Sequence, residues 1–128
     1  METSEENAVV VRDFRDLGVW NLAMDIFQSV YSTTAGFPRE ERFGLTGQMR
    51  RTAVSVPSNI AEGNGRGTTK DYIRFLQISR GAAAELETQV LLSQRLGYEV
   101  NPDTLLPLLH RCRQMLQALI RSLSRKLE

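Results

Sequence analysis

The side chains that could support catalysis are few and lie far apart in the sequence. His110 is the single histidine and Cys112 the single cysteine, and both stand in a leucine-rich segment. Because Cys112 has no evident base, it is predicted to be a small buried hydrophobic residue and not a nucleophile. Ser55, Ser58 and Glu62 resemble a nucleophile set, but the sequence supplies neither a base nor an oxyanion arrangement. We therefore predict that the protein is not an enzyme and has no cofactor.

Metal and nucleotide sites are not indicated either. Di-iron bundles need Glu-x-x-His pairs, and the residue three places before His110 is Pro107. Residues 63–67 are rich in glycine and precede a predicted helix, which favours anions, but they lack the lysine and hydroxyl of a P-loop. We expect no metal site, and we interpret 63–67 as an interhelical turn. A nucleic-acid phosphate could dock there, beside Arg66 and Lys70.

The distribution of charge points to one basic surface. Residues 42–80 carry seven bases and two acids, whereas residues 1–41 carry a net charge of −5. Lys70 and Arg74 are four apart and share a helix face, and Arg66 lies just before them. With Arg50 on the preceding helix, we predict that they contact nucleic-acid phosphates, and a solvated charged face is the alternative. We expect no exposed aromatic residue beside them, and hence little sequence preference.

A second candidate surface is a polar stripe on the predicted second helix. Its members step by four, three and four residues, which places them on one helix face. The stripe is either a solvated face or a flat polar contact between subunits, with a charge at each end. We predict that it is the oligomer interface, formed by Arg51, Ser55, Ser58 and Glu62.

Helical periodicity recurs throughout the chain and predicts an all-α bundle of four helices over residues 14–128. Residues 1–13 are predicted to be a flexible acidic arm. The first helix is expected to start near Asp16, as its N-cap before Leu17, and the second to span about 45–62. Thr68 or Thr69 is expected to cap the third helix, and Asn101 with Pro102 to begin the fourth.

The apolar residues predict which helix faces are inside. On the third helix, the inner side is predicted to include Phe75 and Leu96, and the run 81–84 of small residues is expected to let a neighbouring helix approach closely. The fourth helix has two apolar seams, so it either contacts another subunit or is sunk deeply in its own bundle. On the first helix, Trp20 is expected to be largely buried, within an inner stripe of Leu17, Trp20, Met24, Phe27, Val30 and Tyr31.

Nothing in the sequence predicts export or membrane insertion. The first seven residues are acidic and lack a basic segment followed by an apolar run. No stretch of about 18 apolar residues is present, which is the minimum for a membrane-spanning helix. We expect a cytoplasmic protein without a membrane partner.

Several blocks of the sequence resemble one known family. The most recognisable block is 55–63, preceded by 14–20, 37–38 and 43–45 and followed by 71–72, 75–76, 85–89 and 96–98. On these residues the chain resembles the four-helix-bundle proteins encoded by intervening sequences of 23S ribosomal RNA genes. The resemblance covers residues 14–98. Gly67 departs from it, because the family often has another base there.

The resemblance implies an up-and-down four-helix bundle that forms a homopentamer. A related branch of the family, the accessory protein of diversity-generating retroelements, binds nucleic acid and a reverse transcriptase through basic surface. The chain is therefore expected to bind itself and a nucleic acid, either structured RNA or an RNA/DNA hybrid. The alternative is a protein scaffold whose partner is a reverse transcriptase or a ribosomal component. Steep salt dependence would favour the first of these hypotheses.

Overall fold

The computed structural model describes residues 13–128, and within them the secondary structure is entirely helical. The four helices are α1 (Gly18–Thr34), α2 (Leu45–Asn64), α3 (Thr69–Arg95) and α4 (Pro102–Arg125). Helix α1 packs against α2 and α4, and α3 also packs against α2 and α4, so that the four enclose one core. The predicted all-α four-helix bundle is confirmed. The predicted acidic arm lies outside the described residues, apart from Asp13.

The starts of α3 and α4 follow the sequence signals. The Thr68 hydroxyl accepts a hydrogen bond from the Asp71 backbone N–H at 3.2 Å, which makes Thr68 the cap of α3. Asn101 precedes Pro102 at the first position of α4. The cap predicted at Asp16 is wrong. The Asp13 carboxylate accepts from the Arg15 N–H at 2.8 Å and caps a short 3₁₀ turn, so α1 begins only after Leu17.

The inner face of α1 is rotated from the predicted one. Its buried residues are Val19, Ala23, Ile26, Val30 and Thr34. Most of the predicted stripe flanks this face: Trp20 and Phe27 are half-buried, and Met24 and Tyr31 are each 38% exposed. The small Ala23 side chain lets neighbouring helices approach α1, whereas the aromatic residues cover the edge of the core. Trp20, which was predicted to be largely buried, is partly buried and packs against the core from this edge.

Helix α4 is deeply buried in its own bundle, which is one of the two alternatives predicted from its two apolar seams. Leu105, Leu109, Cys112 and Leu116 are fully buried. Leu106, Leu108, Met115 and Leu119 are partly buried against the same core, and Leu127, just beyond the helix, is exposed. The predicted burial of Cys112 is confirmed, and burial raises the pKa of its thiol to about 12.

Two predictions for α3 need correction. Leu96, assigned to the inner side, is 58% exposed because the helix ends at Arg95 and Leu96 is its C-terminal cap. Gly81 has open space where a Cβ would stand, so it is not the point of close approach between helices. Ala82 and Ala83 are buried. Another close approach between helices occurs at Gly63, described below.

A polar contact, here called the clasp, joins the N-terminal end of α2 to the segment that follows α3. The Glu41 carboxylate accepts hydrogen bonds from the Leu45 N–H at 3.0 Å and from the Tyr98 hydroxyl at 2.7 Å. Both bonds lower the pKa of Glu41, and the same contact raises the pKa of Tyr98. Phe37 packs on the Tyr98 ring with 5.1 Å between centroids. The clasp therefore caps α2 and ties two connecting segments together.

Candidate nucleic-acid interface

The opposite end of the α2–α3 pair is held by a close helix contact. A Cβ at Gly63 would lie 2.8 Å from the Phe75 Cβ and 3.1 Å from the Tyr72 carbonyl oxygen. Only glycine allows α2 to lie this close to the first turns of α3. The Asn64 side-chain amide donates to the Tyr72 hydroxyl at 3.3 Å, and burial raises the pKa of that hydroxyl. This contact fixes the position of Phe75.

Two arginines lie over the ring of Phe75. The guanidinium carbons of Arg66 and Arg74 are 5.3 Å and 4.5 Å from the ring centroid. Arg66 comes from the α2–α3 turn, which is closed by Gly67 at a φ of +93°, and Arg74 comes from the second turn of α3. Cation–π contacts of this kind restrain a guanidinium without removing it from water. Both side chains remain substantially exposed, at 43% and 57%.

Two carboxylates compensate part of this positive charge. Asp71 lies between the arginines, 3.6 Å from the Arg66 Nε and 3.7 Å from the Arg74 Nε. Glu62 lies 3.4 Å from Arg66. Lys70 is exposed and makes no ion pair within residues 13–128. The basic cluster, defined here as Arg66, Lys70 and Arg74, therefore presents two guanidinium groups over one ring and an exposed lysine one turn before Arg74, against two acids.

The structure does not bring Arg50 to the basic cluster. Arg50 and Glu62 are twelve residues apart on α2, which corresponds to about 18 Å along the helix axis. The Arg50 Nε donates to the Thr34 hydroxyl at 2.8 Å, and one Nη donates to the Tyr31 carbonyl at 3.2 Å. Its guanidinium lies 4.4 Å from the centre of the Tyr31 ring. This arginine joins α2 to the end of α1.

A comparison with protein families identifies the family to which the chain belongs. Residues 15–121 match the family described as 23S rRNA-intervening sequence protein. The chain belongs to this family. No curated protein matches the chain closely enough to count as a relative. The match includes the basic cluster, the Gly63 contact and the clasp.

In this member of the 23S rRNA-intervening sequence protein family, the polar stripe of α2 lies beside α3. Arg51 and Ser55, with Gln48, Thr52 and Glu85 of the two helices, line an open cleft of about 460 Å³. Farther along the stripe, Ser58 and Glu62 are exposed. Glu62 is paired within the chain with Arg66, so the end of the stripe adjoins the basic cluster.

The structure gives no metal cluster and no transmembrane helix among the residues it describes. No group of three or more His, Cys, Asp or Glu side chains within residues 13–128 could hold a metal ion. No helix in this part of the chain is long and apolar enough to cross a membrane. The groups that the basic cluster and its neighbours present are three cations, two carboxylates and one aromatic ring.

Sequence reasoning missed the role of Phe75 in this family member. Phe75 was assigned to the inner side of α3 because it follows the apolar pattern, but the side chain is half-buried and supports both arginines. Asp71, an acidic residue in the first turn of α3, also pairs with Arg66 and Arg74. The alternation of Arg66, Asp71 and Arg74 around an aromatic residue was the available signal.

Proposed function

We propose that this protein is a non-enzymatic, oligomeric bundle that binds nucleic acid, either structured RNA or an RNA/DNA hybrid, through the basic cluster. The observation that carries the proposal is the pair of arginines held over Phe75, with Lys70 exposed beside them. Three cations on a rigid support suit the regularly spaced phosphates of a nucleic-acid backbone. The family description, which refers to 23S rRNA, supports RNA as the ligand. We also propose that the protein is cytoplasmic.

The compensating acids define the strength of binding that we expect. Asp71 and Glu62 offset part of the charge of the cluster, so a single copy binds weakly. Phosphate contacts carry no sequence information, and the ring of Phe75 lies beneath the guanidinium groups. We therefore expect moderate, salt-sensitive binding with little sequence preference, strengthened by avidity when several copies assemble.

A gel-shift experiment with an RNA hairpin and with duplex DNA, at low and physiological salt, tests this function. The variant carries Arg66→Glu, Lys70→Glu and Arg74→Glu. The matched control reverses three exposed arginines near the clasp: Arg39→Glu, Arg42→Glu and Arg95→Glu. The cluster variant should lose at least about tenfold in affinity, because it loses phosphate contacts and gains repulsion. No binding by the wild type at low salt, or equal losses in the two variants, would reject the proposal.

We further propose that the bundle is up-and-down and assembles into a homopentamer through the polar stripe of α2. The family resemblance supports the pentamer, and the stripe is flanked by Val54 and Ile78, whose side chains are both more than 40% exposed. Light scattering should give about five times the 14.5 kDa of one chain. Arg51→Glu should weaken assembly more than Arg42→Glu does. A single 14.5 kDa species at micromolar concentration would contradict assembly.

An exposed apolar patch near the clasp supports a second candidate function, a scaffold for a protein such as a reverse transcriptase or a ribosomal component. Phe43 is 81% exposed, and Leu92 and Leu96 are about half exposed. Leu92 and Leu96 line an open cleft with Leu45 and Gln48. Exposed apolar clefts of this kind are typical of contacts with proteins. Binding that persists at high salt and is lost in Leu96→Ser would favour this function.

A further inference from the structure

The groove between α3 and α4 contains a second concentration of cationic side chains, distinct from the basic cluster. A cleft of about 180 Å³ is lined by Arg80 of α3 and by His110, Arg113, Gln114 and Gln117 of α4. None of these residues is acidic. Arg80 lies six residues beyond Arg74, the nearest member of the basic cluster, which places it about 9 Å farther along α3 and about 120° around the helix axis. The cleft is therefore separate from the proposed nucleic-acid interface and does not depend on it.

The polar atoms of this cleft are incompletely used by the protein. Arg113 donates from Nη1 to the Glu87 carboxylate at 3.0 Å, but its Nε is buried and has no acceptor within residues 13–128. The Gln117 Oε1 is likewise buried without a donor in this part of the chain. Arg80 makes one long hydrogen bond, 3.4 Å from Nη1 to Gln77, and no ion pair among the described residues. Arg80 therefore keeps most of its N–H donors available to a ligand in the cleft.

The donors that the protein leaves unused suit an anion. Glu87 occupies the Nη1 side of the Arg113 guanidinium, so Nη2 can donate a charge-assisted hydrogen bond to an anion in the cleft. Arg80 faces the same cleft from the other helix, and His110 and Gln114 add N–H donors at its exposed side. The amide of Gln117 can rotate to present its NH₂ group in place of Oε1.

We propose that this cleft is a binding site for a phosphate group, held between Arg80 and Arg113. The group belongs either to inorganic phosphate or a small phosphate ester, or to one phosphodiester of a nucleic acid. Both sources present the same tetrahedral anion. The clamp joins α3 to α4, so occupation also stabilises the contact between these two helices.

Titration of the full chain with inorganic phosphate, at constant ionic strength and with chloride as the reference anion, tests the site. Arginine Nε–H NMR signals provide a readout for each residue. Saturable shifts are expected for Arg80 and Arg113. Arg80→Gln should weaken this phosphate binding by about tenfold, as expected for the loss of one charge-assisted hydrogen bond. Arg111→Gln removes an exposed α4 arginine that does not line the cleft, so it should leave the affinity unchanged.

A second variant keeps the test decisive if Arg80→Gln does not fold. Gln114→Glu places a carboxylate at the exposed side of the cleft and should weaken phosphate binding by repulsion. Absence of a saturable response in the wild type, or equal affinities of the cleft variants and Arg111→Gln, would overturn the proposal.

An RNA oligonucleotide without terminal phosphates distinguishes the two sources of the group. If Arg80→Gln weakens RNA binding as well as inorganic phosphate binding, the cleft holds a phosphodiester. If only the response to inorganic phosphate is weakened, the ligand is a free phosphate or phosphate ester. Either result supports the site, and neither requires that the basic cluster bind RNA.

Discussion

The two ends of the α2–α3 helix pair use their charged residues differently. At the clasp, Glu41 directs both carboxylate oxygens to the protein itself, one to the Leu45 N–H and one to the Tyr98 hydroxyl. At the other end, Gly63 brings the helices together by shape, and the arginines remain outside on the ring of Phe75. Where close packing and one hydrogen bond between neutral side chains join the helices, the arginines stay available to a ligand.

The largest change in the free energy of unfolding, among variants at the two ends, is expected from Gly63→Ala. The added Cβ would lie 2.8 Å from the Phe75 Cβ and 3.1 Å from the Tyr72 carbonyl oxygen, so α2 and α3 must separate. Overpacking of this kind lowers the free energy of unfolding by about 1–3 kcal/mol, partly offset by the better helix propensity of alanine. Chemical denaturation measures the change.

Gly81→Ala is the matched control, because the same substitution enters a helix at a site with nothing within 4 Å. It should stabilise the protein by up to about 1 kcal/mol. Equal effects at the two positions would contradict the account of the Gly63 contact.

A smaller loss of stability is expected from Glu41→Ala at the clasp. The variant leaves the Leu45 N–H without its cap and removes the acceptor of the Tyr98 hydroxyl. Its Tm should fall by more than that of Glu99→Ala, which removes an exposed carboxylate with no hydrogen bond or ion pair within residues 13–128. Tyr98→Phe should produce part of the same loss. A Glu41→Ala protein as stable as the Glu99→Ala control would show that the clasp contributes nothing.

Acid should weaken the clasp without affecting the Gly63 contact. The pKa of Glu41 is lowered in the folded protein, so its contribution to stability is complete above the unfolded pKa of about 4.3. This contribution is lost as the pH falls through the lower, folded pKa. The pKa of Asp13 is lowered to about 2 by Arg15, but this ion pair is exposed and contributes little to the acid dependence. Thermal melts from pH 6 to pH 2 should show a smaller acid-induced fall in Glu41→Ala than in the wild type.

The smallest effect on stability is expected from the basic cluster itself. Arg66→Gln and Arg74→Gln remove exposed ion pairs at 3.4–3.7 Å and one cation–π contact each. Exposed pairs contribute about 0–1 kcal/mol, so each variant should melt close to the wild type. A large loss of stability in either variant would show that these arginines stabilise the fold and are not mainly available to bind a ligand.

The sequence predicted the elements of the bundle better than their orientation. Local signals placed the Thr68 cap and the start of α4 correctly, because capping depends on a few adjacent residues. The inner face of α1 was wrong because two adjacent faces are apolar, and the choice between Ala23 and Met24 depends on how closely other helices approach. Such tertiary contacts are not encoded in helical periodicity.

Part of the candidate site was predictable, because several of its residues are close in sequence. Arg66, Lys70 and Arg74 are near neighbours in sequence, so their proximity followed from helix geometry. Arg50 could not be separated from them without knowing that its guanidinium bonds to Thr34 on α1. The support from Phe75 was also hidden, because an apolar residue at a core-like position gives no sign that it is only half-buried.

The salt dependence of RNA binding tests the central claim, that Arg66, Lys70 and Arg74 are phosphate contacts, most directly. The affinity for one RNA hairpin would be measured for the wild type and for the triple variant Arg66→Gln, Lys70→Gln, Arg74→Gln. The salt concentration would run from about 50 to 200 mM, a range over which counterion release changes the affinity steeply. Each lost phosphate contact lowers the slope of log K against log salt by about 0.7–0.9, so the triple variant should have a slope shallower by about two to three. An unchanged slope would show that the basic cluster does not contact the RNA backbone.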